Sequence, residues 1–162
     1  MRLFIIRHGK ARHDSESGRD RDRALASRGR RQAEWLAAEL SARIGAPSLM
    51  LSSPVSRAKA TAEILREVLR CRLEFDERLS TDGDVRSTLD AVASASEKNS
   101  DLESLLIVGH NPHFGQLANL LAGGAAHVGE LRTGECVLVQ GEFGGGRPSC
   151  DFVERLRLEH DD

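Results

Sequence analysis

Two arginines and two histidines lie at positions where they could act together on a phosphoryl group. Arg7 and His8 directly follow one short apolar run, while Arg57 and His110 come shortly after two others. In one pocket these cationic groups would repel one another unless an anion such as a phosphoryl group neutralised them. An arginine fork matches phosphate oxygens in pairs, and a histidine nitrogen can attack phosphorus and hold the group covalently. A second histidine can stabilise the oxygens. The pattern predicts phosphoryl-transfer chemistry.

The apolar runs that precede these residues predict the strands of a buried sheet. Predicted strands occupy Leu3–Ile6, Leu49–Leu51, Leu105–Val108, Cys136–Val139 and Phe152–Leu156, and predicted helices occupy Arg28–Ile44, Ala58–Leu69, Arg86–Ala95 and Phe114–Leu121. Continuous apolar strands are typical of parallel sheets that helices cover on both faces. The alternation of strands and helices therefore predicts an α/β fold, a three-layer α/β/α sandwich with a mostly parallel central sheet.

This order of elements should bring the reactive side chains to one edge of the sheet. Ligands of open α/β sheets bind beyond the carboxyl ends of the strands, and the arginines and histidines follow three such ends. The sequence also predicts that Ser53 caps the second helix, with Pro54 at its first position, so that this helix end adds backbone donors. Gly9 is predicted to let the backbone approach a bound oxyanion closely.

The charge balance of the 162 residues argues against several classes of partner. Charged residues make up 30% of the chain, yet the formal net charge is only −2 at pH 7. Nucleic-acid binding and polybasic membrane anchoring both need a basic excess, so neither is expected. No apolar run approaches the length of a membrane span, and the first apolar stretch is too short for a signal peptide. We therefore expect a single cytoplasmic domain over residues 1–162.

Neither the cysteines nor the histidines predict a metal site. Cys71, Cys136 and Cys150 contain no CxxC pair and are too few for a disulfide framework, so reduced thiols are expected. Beside His8 and His110, the arginines would repel a cation, and no carboxylate completes a ligand set. No metal is therefore expected.

Four motifs occur between residues 3 and 112: RHG at 7–9, LxxxGxxQA at 25–33, SSPxxRAxxTA at 52–62 and GHN at 109–111. Together they resemble the motifs of the histidine phosphatase superfamily, whose members have the phosphoglycerate-mutase-like fold. The resemblance implies that His8 is the nucleophile that becomes phosphorylated, that Arg7 and Arg57 clamp the phosphate, and that His110 stabilises the transition state. It also implies that Asn111 lies at the substrate site and that no metal or organic cofactor takes part.

The larger members of this superfamily carry a lid with a glutamate general acid, which this sequence lacks. Thr81 stands at the matching position, and Asp82 or Glu77 could substitute for the acid. A general acid helps to expel an alkoxide from a sugar phosphate, whereas the weak P–N bond of phosphohistidine needs less help. Residues 79–85, and the short chain without a large lid insertion, resemble the SixA-type phosphohistidine phosphatases. We therefore expect an open, shallow site and a histidine-phosphorylated protein as substrate.

Two other functions stay open, and three further residues are predicted at the rim and floor of the pocket. The protein could be a phosphatase of small esters, such as sugar or nucleotide phosphates, with Asp82 as its acid. It could also bind phosphohistidine without turning it over. Lys10 and Arg23 are predicted to contact the phosphate or an acidic partner, and Thr133 to line the pocket floor. The remaining charges of residues 9–27 are predicted to be solvated.

Overall fold

A mixed sheet of six strands forms the centre of a computed structural model that describes residues 1–123, 128–144 and 147–159. The strands are β1 (Arg2–Arg7), β2 (Ser48–Ser52), β3 (Arg72–Phe75), β4 (Ser104–Gly109), β5 (Cys136–Glu142) and β6 (Ser149–Leu156). They are ordered β3-β2-β4-β1-β5-β6. Strands β1 to β4 run parallel to one another, and β5 runs antiparallel to both of its neighbours. The predicted mostly parallel sheet is confirmed.

Helices cover both faces of this sheet. They are α1 (Ser27–Ser41), α2 (Ser56–Leu69), α3 (Val85–Lys98) and α4 (His113–Leu121). Helices α1 and α2 share a core with Phe4 and Ile6 of β1, whereas α3 and α4 share a core with Leu3 and Ile5 of the same strand. All four of these β1 side chains are fully buried, which explains why the strand is apolar at every central position. The predicted α/β/α sandwich is confirmed.

Two predictions about individual elements are wrong. The sequence analysis assigns no strand to Arg72–Phe75, which forms β3 at the edge of the sheet, pairs only with β2 and is largely exposed. Helix α2 begins at Ser56, with Val55 as its N-cap and no side-chain cap, so Ser53 and Pro54 lie ahead of the helix.

Within the described ranges, no helix combines the length and the apolar character that crossing a membrane requires.

Candidate active site

The structure brings the two predicted arginines and the two predicted histidines together at the carboxyl ends of β1 and β4. Arg7 is paired in register with Gly109, so His8 and His110 follow neighbouring strand ends and their ring centroids lie 5.1 Å apart. Arg57, the second residue of α2, places its Nε 3.3 Å from Nε2 of His8. These distances bring His8, His110 and Arg57 together, and Arg7 directly precedes His8 at the end of β1.

His8 is held as a neutral imidazole with one nitrogen lone pair directed at Arg57. Its Nδ1 lies 2.7 Å from the carbonyl oxygen of Gly9, which can only accept, so Nδ1 carries the ring proton. Nε2 is then unprotonated and accepts the hydrogen bond from Nε–H of Arg57. Burial, together with the charges of Arg57 and Arg7, lowers the pKa of His8 to about 3, although the hydrogen bond to Gly9 opposes this. The ring therefore stays neutral near pH 7.

His110 is a second buried, neutral imidazole in the same pocket. Its Nε2 lies 2.8 Å from the hydroxyl of Ser53, the residue that the sequence wrongly predicts as a helix cap. Burial, and then the electrostatic interactions with the His8 ring and with the Arg57 charge, lower the pKa of His110 to about 2. Its Nδ1 is buried and has no hydrogen-bond partner in the described part of the chain.

The two depressed histidine pKa values predict that the protein loses stability in acid. At pH values between the folded pKa and the ordinary value of about 6.5, the unfolded chain binds protons that the folded chain does not. The stabilising contribution is fully present above pH 6.5 and is lost as the pH falls toward 3. For His110→Gln, the free energy of unfolding should fall less steeply between pH 6 and 4, by about 1.4 kcal/mol per pH unit.

Urea unfolding at a series of pH values would measure this slope. His13→Gln is a matched control, because His13 is exposed outside the pocket. A His110→Gln slope equal to that of the wild type would contradict the buried neutral state of His110.

Arg7 and Asn111 are both held by one backbone carbonyl. Nη1 of Arg7 donates to the carbonyl oxygen of Leu131 at 2.9 Å, and Nδ2 of Asn111 donates to the same oxygen at 2.7 Å. Nε of Arg7 and Oδ1 of Asn111 are buried without hydrogen-bond partners among the described residues. Burial, and secondarily the charge of Arg57, lower the pKa of Arg7. The turn at Leu131 thus orients two of the predicted substrate-site residues.

The segment that supplies this carbonyl is anchored by a buried carboxylate. Glu135 is fully buried, forms an ion pair with Arg155 of β6 and accepts a hydrogen bond from the backbone N–H of Arg132 at 2.6 Å. Its own carbonyl oxygen accepts from the backbone N–H of Arg7 at 3.0 Å. The C-terminal strand is therefore linked, through Glu135, to the strand end that carries the site.

Gly9 packs against helix α1 and hydrogen-bonds within the fold. Its backbone N–H donates to Oγ1 of Thr61 at 3.0 Å, and this hydroxyl donates to the carbonyl oxygen of Arg57 at 2.8 Å. A Cβ at Gly9 would lie 2.6 Å from the carbonyl oxygen of Gly29 in α1. The absence of a side chain is therefore required for packing. Contact of Gly9 with a substrate stays a prediction.

The motif residue Gln32 connects the turn after β1 to a loop on the other side of the pocket. Its Oε1 accepts from the backbone N–H of Lys10 at 2.9 Å, and its Nε2 donates to Oγ1 of Thr133 at 3.2 Å. Thr133 thus lies beside the turn that carries His8. Contact of the Lys10 ammonium with a substrate stays a prediction.

Asp20 is a site residue that the sequence analysis missed. Its carbonyl oxygen accepts from Nη1 of Arg57 at 2.9 Å, and its carboxylate accepts from Nη2 of Arg57 at 3.1 Å. The same carboxylate accepts from Nε of Arg23 at 2.9 Å. Contact of Arg23 with a substrate stays a prediction. The sequence analysis assigns residues 9–27 to a mostly solvated connector. The one sequence feature that could have indicated a role for Asp20 is the alternation of arginine and aspartate at 19–23, directly before the motif at 25–33.

The two carboxylates considered as general acids are exposed at the surface. Glu77 pairs with Arg21 at 3.1 Å, and both side chains are more than half exposed. Asp82 is also exposed, and its backbone N–H lies 3.4 Å from the hydroxyl of Ser80. Among the described residues, neither carboxylate is hydrogen-bonded to the histidines of the pocket. The described residues also contain no group of three or more His, Cys, Asp or Glu side chains that could hold a metal ion.

Comparisons with known proteins agree with the fold and with the motifs. A family model of the histidine phosphatase superfamily, branch 1, matches residues 3–81. The structure of the protein histidine phosphatase SixA complexed with tungstate superposes with a TM-score of 0.81 at 22% identity, covering 97% of each chain. A proposed phosphohistidine phosphatase SixA from Nakamurella multipartitia superposes with a TM-score of 0.82 at 19% identity, covering 98% of this chain and 96% of the other.

A curated relative is a chloroplastic protein of Arabidopsis thaliana whose function is uncharacterised. It is 27% identical over 147 residues, which make up 86% of this chain and 66% of the relative. The superfamily match covers the RHG motif and the motif around Arg57, and the SixA superposition extends over nearly the whole described sheet and its helices. These matches and the four ordered motifs make the chain similar to the histidine phosphatase superfamily, and its fold is that of the SixA-type structures.

Proposed function

We propose that the protein is a phosphohistidine phosphatase that acts through a phosphorylated His8. The observation that carries this proposal is the state of His8, whose Nδ1–H is fixed by the Gly9 carbonyl oxygen while Nε2 keeps its lone pair beside Arg57. A neutral imidazole that has its proton on one nitrogen and a lone pair on the other is a nucleophile at neutral pH. The similar SixA structure was determined in complex with tungstate, which supports oxyanion binding by a protein of this fold.

The reaction consists of two displacements at phosphorus. Nε2 of His8 attacks the phosphoryl group, the P–N bond of the substrate phosphohistidine breaks, and the substrate imidazole leaves with a proton from solvent. A water molecule then attacks the phosphoryl group on His8, releases phosphate and restores the free imidazole. Arg7 and Arg57 hold the phosphoryl oxygens, and His110 stabilises the charge that builds up on them in each transition state.

The carboxylates around the pocket favour a phosphoamide over an ester as substrate. Asp20 is the carboxylate that touches Arg57, and the charges of Arg57 and Arg23 lower its pKa despite the opposing effect of burial. It is therefore ionised at neutral pH and has no proton to give to a leaving alkoxide. Glu77 and Asp82 lie at the surface. An imidazole leaving group needs less protonation, so the P–N substrate suits this site.

A phosphate-release assay with two kinds of donor tests the proposal. One donor is a histidine-phosphorylated protein, and the others are sugar and aryl phosphate esters, all with a chelator present and with the His8→Ala variant as control. We expect strong preference for the phosphohistidine donor, lost in the variant. Comparable or faster ester hydrolysis would overturn the assignment, and Asp82→Asn should then slow ester hydrolysis about 10²–10⁴-fold. Oxyanion binding without phosphate release from any donor would indicate a binding module.

A further inference from the structure

Residues 19–23 form a short strap over the pocket, and its Asp20 occupies the forked face of Arg57. The Arg57 side chain is 6% exposed, whereas that of Asp20 is 64% exposed, so an exposed carboxylate reaches down to a buried guanidinium. Nη2 of Arg57 lies 3.1 Å from the Asp20 carboxylate and Nη1 lies 2.9 Å from the Asp20 carbonyl oxygen. The carbonyl and carboxylate oxygens of Asp20 therefore occupy the positions at which Arg57 could hold two oxygens of a phosphoryl group.

All three nitrogens of the Arg57 guanidinium are engaged in this arrangement. Nε donates to the reactive Nε2 of His8, while Nη1 and Nη2 donate to Asp20. The second cation of the rim, Arg23, is also paired with the Asp20 carboxylate, at 2.9 Å. A phosphoryl group that is to bind between Arg57 and Arg23 must compete with this carboxylate for both of them.

The ion pair that joins the strap to a neighbouring loop is weak enough to be displaced. The Arg21–Glu77 ion pair, 3.1 Å long, joins the strap to the loop before α3 with both side chains more than half exposed. Exposed ion pairs of this kind contribute about 0–1 kcal/mol. The helical part of the strap is a single turn of three residues, Asp20–Asp22, with no buried residue. Lifting this turn would therefore pull no buried side chain of its own out of the core.

We propose that Asp20 is an internal competitor for the phosphoryl site, displaced when substrate binds. The inference rests on the proposed function, because it takes the pocket of Arg57 and His8 to be the site that receives the phosphoryl group. Displacement frees Arg57 and Arg23 together to bind phosphoryl oxygens. Because the carboxylate competes with every oxyanion, it weakens the binding of free phosphate, which is the product, and favours substrates that gain further contacts. Asp20 thereby makes the site more selective among oxyanions and helps the product phosphate to leave.

Calorimetric titration of tungstate into three proteins at constant ionic strength tests this competition. The proteins are the wild type, Asp20→Asn and the matched control Asp22→Asn, whose carboxylate lies in the same turn and accepts from the Ser17 hydroxyl at 2.6 Å. We expect Asp20→Asn to bind tungstate about five- to tenfold more tightly, and Asp22→Asn to bind as the wild type does. Unchanged or weaker binding by Asp20→Asn would overturn the proposal, because Asp20 would then serve only to orient Arg57.

A crystal structure of the wild-type protein with tungstate bound supplies a second, independent test. We expect the Asp20 carboxylate to have left Nη2 of Arg57, with tungstate oxygens in its place. Tungstate bound with the Asp20–Arg57 contact intact would overturn the competition while leaving the phosphoryl pocket in place. If the wild type and both variants bind no tungstate and release no phosphate, the proposed function and this inference both fail.

Discussion

Replacing His8 by Ala is expected to abolish phosphate release from a histidine-phosphorylated protein. The variant keeps Arg7, Arg57 and His110 but loses the nitrogen that attacks phosphorus, so binding and electrostatic stabilisation alone remain. We expect a loss on the order of 10³-fold or more in kcat, by analogy with the removal of nucleophiles from other hydrolases. In the wild type, rapid quenching in base should trap a phosphoryl group on His8, which mass spectrometry of the peptide containing residues 7–9 would locate.

Two controls separate this loss from a defect in folding. His13→Ala removes an exposed histidine outside the pocket and should leave both kcat and KM unchanged. The thermal unfolding of His8→Ala should show one cooperative transition. Residual hydrolysis near the wild-type rate, or a trapped phosphoryl group on another histidine, would disprove the assignment of His8 as the nucleophile.

Replacing Arg57 by Ala is expected to slow the reaction by about 10²–10³-fold in kcat/KM. This is the typical cost of removing one preorganised donor to the oxygens of a transition state in a dry site. The Arg57 side chain is 6% exposed and its Nε lies 3.3 Å from the reactive nitrogen of His8, so solvent compensates little for its loss. Because the phosphoryl group gathers charge as it reacts, kcat should fall together with the affinity for substrate. Initial rates over a range of donor concentrations would separate the two.

Variants on the same helix give the matched comparison for Arg57. Arg57→Lys keeps the charge but loses the planar fork, so it should recover only part of the rate. Arg66→Ala removes an exposed arginine near the other end of α2 and should be neutral. An Arg57→Ala protein that binds tungstate and turns over substrate as the wild type does would show that Arg57 does not contact the phosphoryl group.

The parts of the fold that the sequence predicts well are those where burial dictates residue type. Strands β1 and β4 are apolar at every central position because helices cover both faces, so short apolar runs locate them. Strand β3 has no such signal. It lies at the sheet edge, pairs with one neighbour, and reads Arg72-Leu73-Glu74-Phe75 with mostly exposed side chains. The start of α2 was misplaced because Ser53, which resembles a helix cap in the sequence, faces His110 in the fold.

The same distinction applies to the site. Arg7, His8 and His110 could be predicted because parallel strands end at one edge, so position in the sequence fixes position in space. Asp20 could not be predicted in this way. It lies in an exposed loop where charged residues are ordinary, and its significance depends on a contact with Arg57 that spans 37 positions of the chain. Loop residues that face a site from outside the sheet are identified from the three-dimensional structure and not from the sequence pattern.

The carbonyl oxygen of Leu131 and the buried Glu135–Arg155 pair determine how much of the chain a working site requires. The recognisable motifs all end by residue 111, and a fragment chosen by motif content alone would stop there. Such a fragment would contain every residue assigned to the reaction but not the carbonyl that orients Arg7 and Asn111. A fragment that reached β5 but stopped short of β6 would bury the Glu135 carboxylate with no partner cation, which is a costly state. The smallest self-sufficient unit therefore extends to Arg155, well beyond the part of the sequence that carries the resemblance to the family.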